Sequence, residues 1–278
     1  MNKRICIVAI VKDEESFLDE WLFYHRLIGV DHFFIYDDDP KLPLKNLFNH
    51  HAPYLTIIDW HGKDKDLAGR NNQTKAYWHA VENHITDYEW VTFIDGDEFI
   101  VLPAWDDQIH TFLDEFKDAS AISLNWHVFG HNGHYETPEG LVTASLTRRM
   151  KEPNVNVKTI TRTKSIKSIN TAHFCRIDSG LWFDANHKRY NDTLYEGKTA
   201  KGYINHYQCR SFKHWMSRYE RGDVNFSGNN TPDEQIWRCD TTLLLRKFVE
   251  NVAYNKNEYV DDYMAKFAFA SQKQVLQL

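Results

Sequence analysis

Short apolar runs alternate with helical patterns over the first hundred residues, and this alternation constrains the fold more than any other feature. Such an order predicts βαβ units around a parallel sheet. We therefore expect an α/β chain with a mixed, mainly parallel central sheet. The strand candidates are Ile5–Val11, His32–Tyr36, Tyr54–Asp59 and Trp90–Ile94, and a helix is expected over Thr74–Ile85.

Acidic residues follow three of these strands directly. Asp13 and Glu14 come after the first strand, Asp37 and Asp38 after the second, and Asp95 begins an acidic turn after the fourth. Ligands of open α/β sheets bind outside the carboxyl ends of the strands. The sequence therefore predicts a binding site at this edge of the sheet.

The turn Asp95-Gly96-Asp97-Glu98 contains an Asp-X-Asp motif, which is the strongest candidate for metal chemistry. Two carboxylates one residue apart can reach one hard cation such as Mg²⁺ or Mn²⁺, and Gly96 allows the backbone to approach a ligand closely. The competing interpretation is a solvated acidic turn. Apolar residues from Phe99 onward favour the metal site, since a solvated turn is more often followed by polar residues.

Three other segments have both a functional and a structural interpretation. His206 can be a further ligand of Mn²⁺ or a structural histidine. Arg70 and Gln73 precede or begin a helix, where they could contact a nucleotide phosphate, while Asn71 or Asn72 caps the helix. The aromatic and histidine-rich segment from Asn125 to Gly140 is expected to be a loop that stacks on a sugar or fills the core.

Composition excludes several classes of protein. The 278 residues carry 33 Lys and Arg against 39 Asp and Glu, a net charge of −6, which disfavours nucleic acid as a partner. No apolar stretch approaches the ~20 residues of a membrane span. The four cysteines are scattered, so neither a zinc site nor a disulfide scaffold is indicated. The markers of P-loop, Rossmann, α/β-hydrolase and zinc-protease sites are also missing.

Several short motifs in order resemble glycosyltransferases of the family 2-like and family 92-like groups, over residues 5–222. That resemblance implies a GT-A-type fold, a nucleotide-sugar donor and a divalent cation, Mn²⁺ or Mg²⁺. This sequence departs from the family pattern at Asp13, where the family often has Asn. The motifs include the run from Ile7 to Glu14, Glu20-Trp21, Tyr24-His25, Tyr36-Asp37, Gln73, Asp95–Phe99, Phe129-Gly130, Lys158, His173 and His206-Tyr207.

The resemblance also implies roles for particular residues. The metal ligands would be Asp95, Asp97 and His206. An acceptor hydroxyl would need a carboxylate base if the reaction inverts the anomeric carbon. Asp184 is the first candidate and Glu136 the next, and Glu139 and Asp178 also lie in the acceptor half. Donor contacts would come from Ala9, Lys12, Asp13, Asp37, Arg70, Gln73, Asp95 and Gly96.

These expectations define one hypothesis and two alternatives. The hypothesis is a cytoplasmic, metal-dependent glycosyltransferase that uses a nucleotide sugar, expected to be a UDP-sugar, and a glycan or glycolipid acceptor. The resemblance suggests bacterial surface polysaccharide or lipopolysaccharide synthesis, with at most peripheral contact to the inner membrane. The alternatives are a metal-dependent phosphotransferase or nucleotidyltransferase and a non-catalytic sugar-binding module.

The domain organisation predicted from the sequence is one catalytic domain with an appendage. The domain would span residues 1–222, with a donor and metal half over 1–120 and an acceptor half over 121–222. A helical extension is expected over 223–278, with amphipathic helices at Thr241–Val252 and Tyr259–Phe269.

Overall fold

The computed structural model describes residues 4–38, 43–51, 53–61, 71–189, 201–221, 248 and 255–268. The chain divides into two compact units: the first comprises residues 1–126 and 154–204, and the second comprises residues 127–153 and 205–278. Residue 120, the predicted end of the donor half, falls within a strand that runs without interruption from Ala119 to Val128. The predicted division into domains stays a prediction.

The first unit is built on a mixed sheet, which has nine strands among the described residues. The strand order is β3-β2-β1-β4-β8-β6-β12-β5, and β11 pairs with β6 beside this path. The first four strands in this order are parallel, whereas β8 is antiparallel to both β4 and β6. The strands are β1 (Ile5–Val11), β2 (His32–Asp37), β3 (Leu55–Asp59), β4 (Trp90–Phe93), β5 (Glu98–Val101), β6 (Ala119–Val128), β8 (Val157–Arg162), β11 (Leu181–Asp184) and β12 (Tyr203–His206).

The predicted α/β class and the mixed, mainly parallel sheet are confirmed. The four strands expected in the first hundred residues all form, and β1 lies between β2 and β4 with almost every side chain buried. This burial on both faces explains why β1 is a continuous apolar run instead of an alternating one. The helices and short strands that accompany the sheet are α1 (Glu15–Leu27), α2 (Asn72–Asn83), α3 (Ile109–Glu115), β9 (Ile166–Ser168) and β10 (Arg176–Ile177).

Helix α1 ends in a Schellman motif at Gly29. The Val30 N–H donates to the carbonyl of His25 at 3.0 Å, and the Gly29 N–H donates to the carbonyl of Arg26 at 3.1 Å. Gly29 adopts φ +103°, which an L-residue rarely tolerates. The glycine therefore ends the helix and returns the chain to β2.

Three side chains of α1 hold the backbone of β5. Trp21 Nε1 donates to the carbonyl of Glu98 at 2.8 Å, and the Tyr24 hydroxyl donates to the carbonyl of Ile100 at 2.6 Å. His25 Nε2 accepts from the Ile100 N–H at 3.2 Å. The Trp21 and Tyr24-His25 motifs of the sequence thus fix the strand that begins at the acidic turn.

The two hydrogen bonds of His25 define its protonation state. Nδ1 faces the carbonyl of Trp21 at 2.9 Å and must donate, while Nε2 accepts from Ile100. Only the neutral ring with a proton on Nδ1 satisfies both partners. Burial accordingly lowers the pKa of His25 to about 3, although the bond to the Trp21 carbonyl acts in the opposite direction.

The second unit contains smaller elements. A two-stranded sheet pairs β7 (Arg148–Arg149) with β13 (Tyr259–Val260). A buried ion pair between Arg149 Nε and Asp261 Oδ2, at 2.6 Å, supports this sheet. Asn257 Oδ1 accepts from the Asn132 N–H at 2.8 Å and fixes the following turn. The elements are β7 (Arg148–Arg149), α4 (Val142–Ser145), α5 (Phe212–Arg221) and β13 (Tyr259–Val260).

Two local predictions are wrong in this part of the chain. In the described part of the expected helix Tyr259–Phe269, residues 259 and 260 pair with β7 and Tyr263–Phe267 forms a 3₁₀ helix. The expected loop from Asn125 starts later, because Asn125 to Val128 continue β6. The predicted helix over Thr241–Val252 lies outside the described residues except for Phe248. Within the described parts of the chain, no helix has the length and apolarity needed to cross a bilayer.

We expect His25 to make the folded state sensitive to acid. The unfolded state takes up a proton below pH 6.5, whereas the folded state resists it until about pH 3. The stability from this group is therefore complete above pH 6.5 and is lost as the pH falls, by at most about 1.4 kcal/mol per pH unit. Urea unfolding between pH 7 and pH 4 should give a flatter profile for His25→Gln than for the wild type. Parallel profiles would contradict this account.

Candidate functional site

The acidic turns meet at the carboxyl edge of the parallel strands, where the connection changes direction. The chain goes from β1 outward to β2 and β3 and then returns to place β4 on the other side of β1. Such a switch point leaves a crevice at the strand ends, which is where ligands of open α/β sheets bind. The sheet topology therefore gives the acidic edge a defined position for a ligand.

Close backbone approach joins the ends of these strands. The Asp38 N–H donates to the carbonyl of Val11 at 2.9 Å, which connects the ends of β1 and β2. A Cβ added at Gly96 would lie 3.3 Å from Val11 Cγ1 and 3.7 Å from Glu14 Cγ. Gly96 thus lets the turn after β4 pack against the segment after β1.

The turn Asp95–Glu98 is closed by its own hydrogen bonds. The Asp95 N–H donates to Glu98 Oε2 at 2.8 Å, and the Glu98 N–H donates to the carbonyl of Asp95 at 3.1 Å. Glu98 is the first residue of β5 and is fully buried. Its carboxylate therefore fixes the turn from inside.

A buried ammonium group bridges two carboxylates of this turn. Lys158 on β8 is 1% exposed, and its Nζ lies 3.0 Å from Asp95 Oδ2 and 3.1 Å from Glu98 Oε2. Burial alone would lower the pKa of Lys158, but the carboxylates of Asp95 and Glu98 raise it above its ordinary value. The lysine is therefore charged and compensates part of the negative charge of the turn.

Helix α2 supplies the remaining partners of Asp95. Gln73 Nε2 donates to Asp95 Oδ1 at 2.7 Å, and the Tyr77 hydroxyl lies 3.4 Å from the same oxygen. The Asn71 side chain caps the helix by accepting from the Thr74 N–H at 2.9 Å, so that Gln73 lies in the first turn facing the acid. Burial, and then the charge of Asp95, raises the pKa of Tyr77 well above its ordinary value.

The donor set of the turn suits a hard divalent cation. Asp95, Asp97 and Glu98 place three carboxylates in this turn, and two of them share the ammonium of Lys158. Asp97 is 6% exposed, and Asp95 Oδ2 accepts one described hydrogen bond, which leaves a lone pair for a further partner. Oxygen ligands of this kind fit Mg²⁺ or Mn²⁺. The residues present therefore fit the expected metal.

The residues predicted to contact a nucleotide lie around the ends of β1 and β2. Asp37 Oδ2 accepts from the Leu44 N–H at 2.8 Å and so holds the chain after the second strand. Asp13 adopts φ +54°, and Ala9 is fully buried within β1 opposite Ile35. Lys12 is half-buried in the same turn as Asp13. Arg70 lies outside the described residues.

Asp38 joins this group although sequence reasoning did not select it as a site residue. Burial raises its pKa, which the charge of Lys12 and a hydrogen bond from Asn72 partly offset. The side chain is 8% exposed and lies directly after β2. Asp38 is the middle residue of a run of three aspartates, and nothing in the sequence distinguished it from its two neighbours.

The contacts of the described residues do not place either predicted catalytic carboxylate, Asp184 or Glu136, beside Asp95. Asp184 Oδ1 accepts from the N–H groups of Asn186 and Lys188 at 2.9 and 2.8 Å, which closes the turn after β11. Strand β11 pairs with β6, β6 with β8 and β8 with β4, a separation of about 14 Å across the sheet. Glu136 belongs to the second unit, where it is exposed and forms an ion pair with Lys213.

His206 also belongs to the second unit and ends β12. It is 6% exposed, and its carbonyl accepts from the Phe129 N–H at 2.9 Å. Arg210 and Ser211, which follow His206 in the chain, are buried as well, so Arg210 is not simply a solvent-exposed basic residue. Its role as a metal ligand stays a prediction.

Lys158 belongs to the motifs that carry the resemblance, but site prediction gave it no role. The signal available was a lysine inside the otherwise buried strand Val157–Arg162, because a lysine is almost never fully buried unless it is paired. Tyr77 had no such signal, since an aromatic residue on the inner face of a helix is ordinarily part of the core.

Comparison with known proteins identifies relatives along most of the chain. The model of glycosyltransferase family 92 matches residues 4–246. A family 92 protein of Ricinus communis is 26% identical over 193 residues, covering 64% of this chain and 32% of that protein. One from Oryza sativa subsp. japonica is 28% identical over 188 residues, covering 64% and 30%. The chain thus spans about a third of the length of the curated relatives it matches.

Solved structures show more distant similarity. HddC from Yersinia pseudotuberculosis aligns with a TM-score of 0.40 and 11% identity, over 73% of this chain and 92% of that one. TarS from S. aureus aligns with a TM-score of 0.36 and 12% identity, over 88% and 43%.

Replacing Lys158 by methionine should leave two carboxylates without their buried counter-charge. We expect Lys158→Met to lower the free energy of unfolding by about 3–5 kcal/mol. Adding Glu98→Gln should restore a substantial part of the loss, because a neutral amide needs no ammonium partner. Urea unfolding of both single variants and the double variant measures this coupling.

Lys167→Met is the matched control for this experiment. Lys167 pairs with Asp178 at 3.2 Å, but both side chains are about two-thirds exposed, so the change should cost less than about 1 kcal/mol. Equal losses for Lys158→Met and Lys167→Met would show that the buried bridge does not stabilise the turn.

Proposed function

Because the chain belongs to glycosyltransferase family 92, we propose that it transfers a sugar from a nucleotide-sugar donor to a glycan acceptor, with Mn²⁺ or Mg²⁺ as cofactor. The observation that carries this proposal is the Asp95–Glu98 turn at the switch point of the sheet. Asp97 and Glu98 are buried, Asp95 is about one-third exposed, and Lys158 and Gln73 hold Asp95 in place. A divalent cation held by this turn would supply positive charge to the diphosphate.

The donor nucleotide is proposed to lie along the ends of β1 and β2. Lys12, Asp13 and Asp37 border this edge, and Asp37 keeps the chain after β2 in place through the Leu44 N–H. A carboxylate on such an edge can accept hydrogen bonds from the hydroxyl groups of a ribose. The ends of the parallel strands then bind the nucleoside, and the turn after β4 faces the diphosphate. A UDP-sugar is the donor we expect.

The metal ligands proposed are Asp95 and Asp97, with His206 as a further candidate. When bound, the cation would hold the diphosphate and offset the charge that develops as the nucleotide leaves. The protein's own contribution is to fix the ligands: Lys158, Gln73 and Tyr77 restrict Asp95 to one orientation, and Gly96 lets the turn approach the diphosphate. Preorganised groups of this kind need no rearrangement during the reaction.

The acceptor hydroxyl is proposed to attack the anomeric carbon while the bond to the diphosphate breaks. An inverting reaction needs a carboxylate that takes the hydroxyl proton. Asp184 and Glu136 stay predictions for that role, although the Asp184 carboxylate is engaged in the turn after β11. Location in the cytoplasm and a role in bacterial surface polysaccharide or lipopolysaccharide synthesis also stay predictions, and the curated relatives named above are plant proteins.

Calorimetric titration with nucleotides tests the donor site. We expect one of UDP, GDP and CDP to bind in the presence of Mn²⁺ and to lose binding when EDTA is added. Changes beside a metal ligand cost about 10–100-fold in affinity or activity, so Asp97→Asn should weaken metal-dependent binding by about 100-fold. Asp118→Asn, on an exposed turn, is the control and should bind as the wild type does.

Product analysis then separates the possible activities. Release of a nucleoside diphosphate from its sugar, dependent on Asp97, supports glycosyl transfer. Metal-dependent nucleotide binding with transfer of a phosphoryl or nucleotidyl group instead would support the phosphotransferase alternative. Sugar binding that is unaffected by replacing Asp95 and Asp97 would support a non-catalytic module. A folded protein that binds none of these nucleotides would contradict the proposed donor site.

A further inference from the structure

A second group of ligand-type side chains lies on the first unit, apart from the Asp95–Glu98 turn. It joins Asp19 on α1 to His50 and His51 in the 3₁₀ turn Asn49–His51. The Nε2 atoms of His50 and His51 lie 3.0 and 2.7 Å from the same oxygen, Asp19 Oδ1. One ligand atom from each of the three side chains lies within 4.8 Å of the other two.

The surroundings orient both imidazoles towards this point. His51 Nδ1 lies 2.9 Å from the Tyr54 hydroxyl, and the His51 side chain is only 9% exposed. A hydrogen bond on the second ring nitrogen is the usual way in which proteins fix a metal-binding histidine. The His50 and His51 rings lie 4.1 Å apart between centroids, so they converge on one position.

The chemistry of these ligands selects a class of metal. Two imidazoles and one carboxylate suit Zn²⁺, Co²⁺ or Ni²⁺ better than Mg²⁺, which prefers oxygen ligands. Tetrahedral zinc with ligand distances near 2.1 Å separates its ligand atoms by about 3.4 Å. The two nitrogens therefore need to move away from Asp19 Oδ1 by about 0.4 and 0.7 Å. His50 and Asp19 are 45% and 63% exposed, which gives a cation access from solvent.

We propose that Asp19, His50 and His51 form a site for a borderline divalent cation of the Zn²⁺ class, with the remaining coordination position open to water. Such a cation would connect helix α1 to the segment that follows Leu44. Helix α1 holds β5 through Trp21, and the Leu44 N–H is bound by Asp37. The cation would therefore stabilise two supports of the candidate site without being part of it.

The test uses the full chain without a histidine tag and Zn²⁺ alone as the probe. Calorimetry should show one site in the wild type. His50→Gln and Asp19→Asn should abolish it, while Tyr54→Phe should weaken it by about 10–100-fold. At a hundred times the dissociation constant, Zn²⁺ should raise Tm of the wild type by about 5 °C and leave that of His50→Gln unchanged. Substitution with Co²⁺ should give a visible absorption band that these variants lack.

Two control variants make the result specific. His61→Gln removes an imidazole that lies outside the cluster and pairs with Asp59 at 2.6 Å, and it should bind Zn²⁺ as the wild type does. Asp97→Asn should also retain the site, which separates this proposal from the proposed glycosyl transfer. A wild type that takes up no Zn²⁺ would overturn the inference. So would uptake that survives His50→Gln and Asp19→Asn, or that is lost in Asp97→Asn.

Discussion

The buried ammonium group of Lys158 is the interaction on which the candidate site depends. Carboxylates that are removed from water require a partner of opposite charge, and a single lysine on β8 serves both Asp95 and Glu98. Asp97 adds a third, buried carboxylate beside this bridge. We propose that the turn, held in place by the bridge, binds a divalent ion.

The rest of the first unit keeps this turn in place. Strand β4 brings Asp95 to the switch point of the sheet, and helix α1 holds the following strand through Trp21, Tyr24 and His25. These three residues belong to motifs that resemble those of the family, yet their contacts are with backbone atoms of β5. Residues that mark a family of enzymes can therefore act by fixing the geometry of a site, at a distance from the substrate.

The sequence was informative where a local pattern determines the structure. The apolar run of β1, the acidic residues at the strand ends and a helix cap at Asn71 or Asn72 were all predicted, because each depends on residues close together in the chain. The bridge of Lys158 depends on a strand about 60 residues beyond the acidic turn, and no local pattern specifies such a pairing. The expected helix near Tyr259 failed for the same reason, since pairing with Arg149 replaces it.

The most direct test of the account is anomalous diffraction at the manganese edge from crystals that contain UDP and Mn²⁺. The account predicts one manganese peak within bonding distance of the Asp97 carboxylate, with the diphosphate on its other side and Lys158 still bridging Asp95 and Glu98. Manganese and diphosphate bound elsewhere, with this turn unaltered and without a cation, would contradict the assignment of the Asp95–Glu98 turn as the donor and metal site.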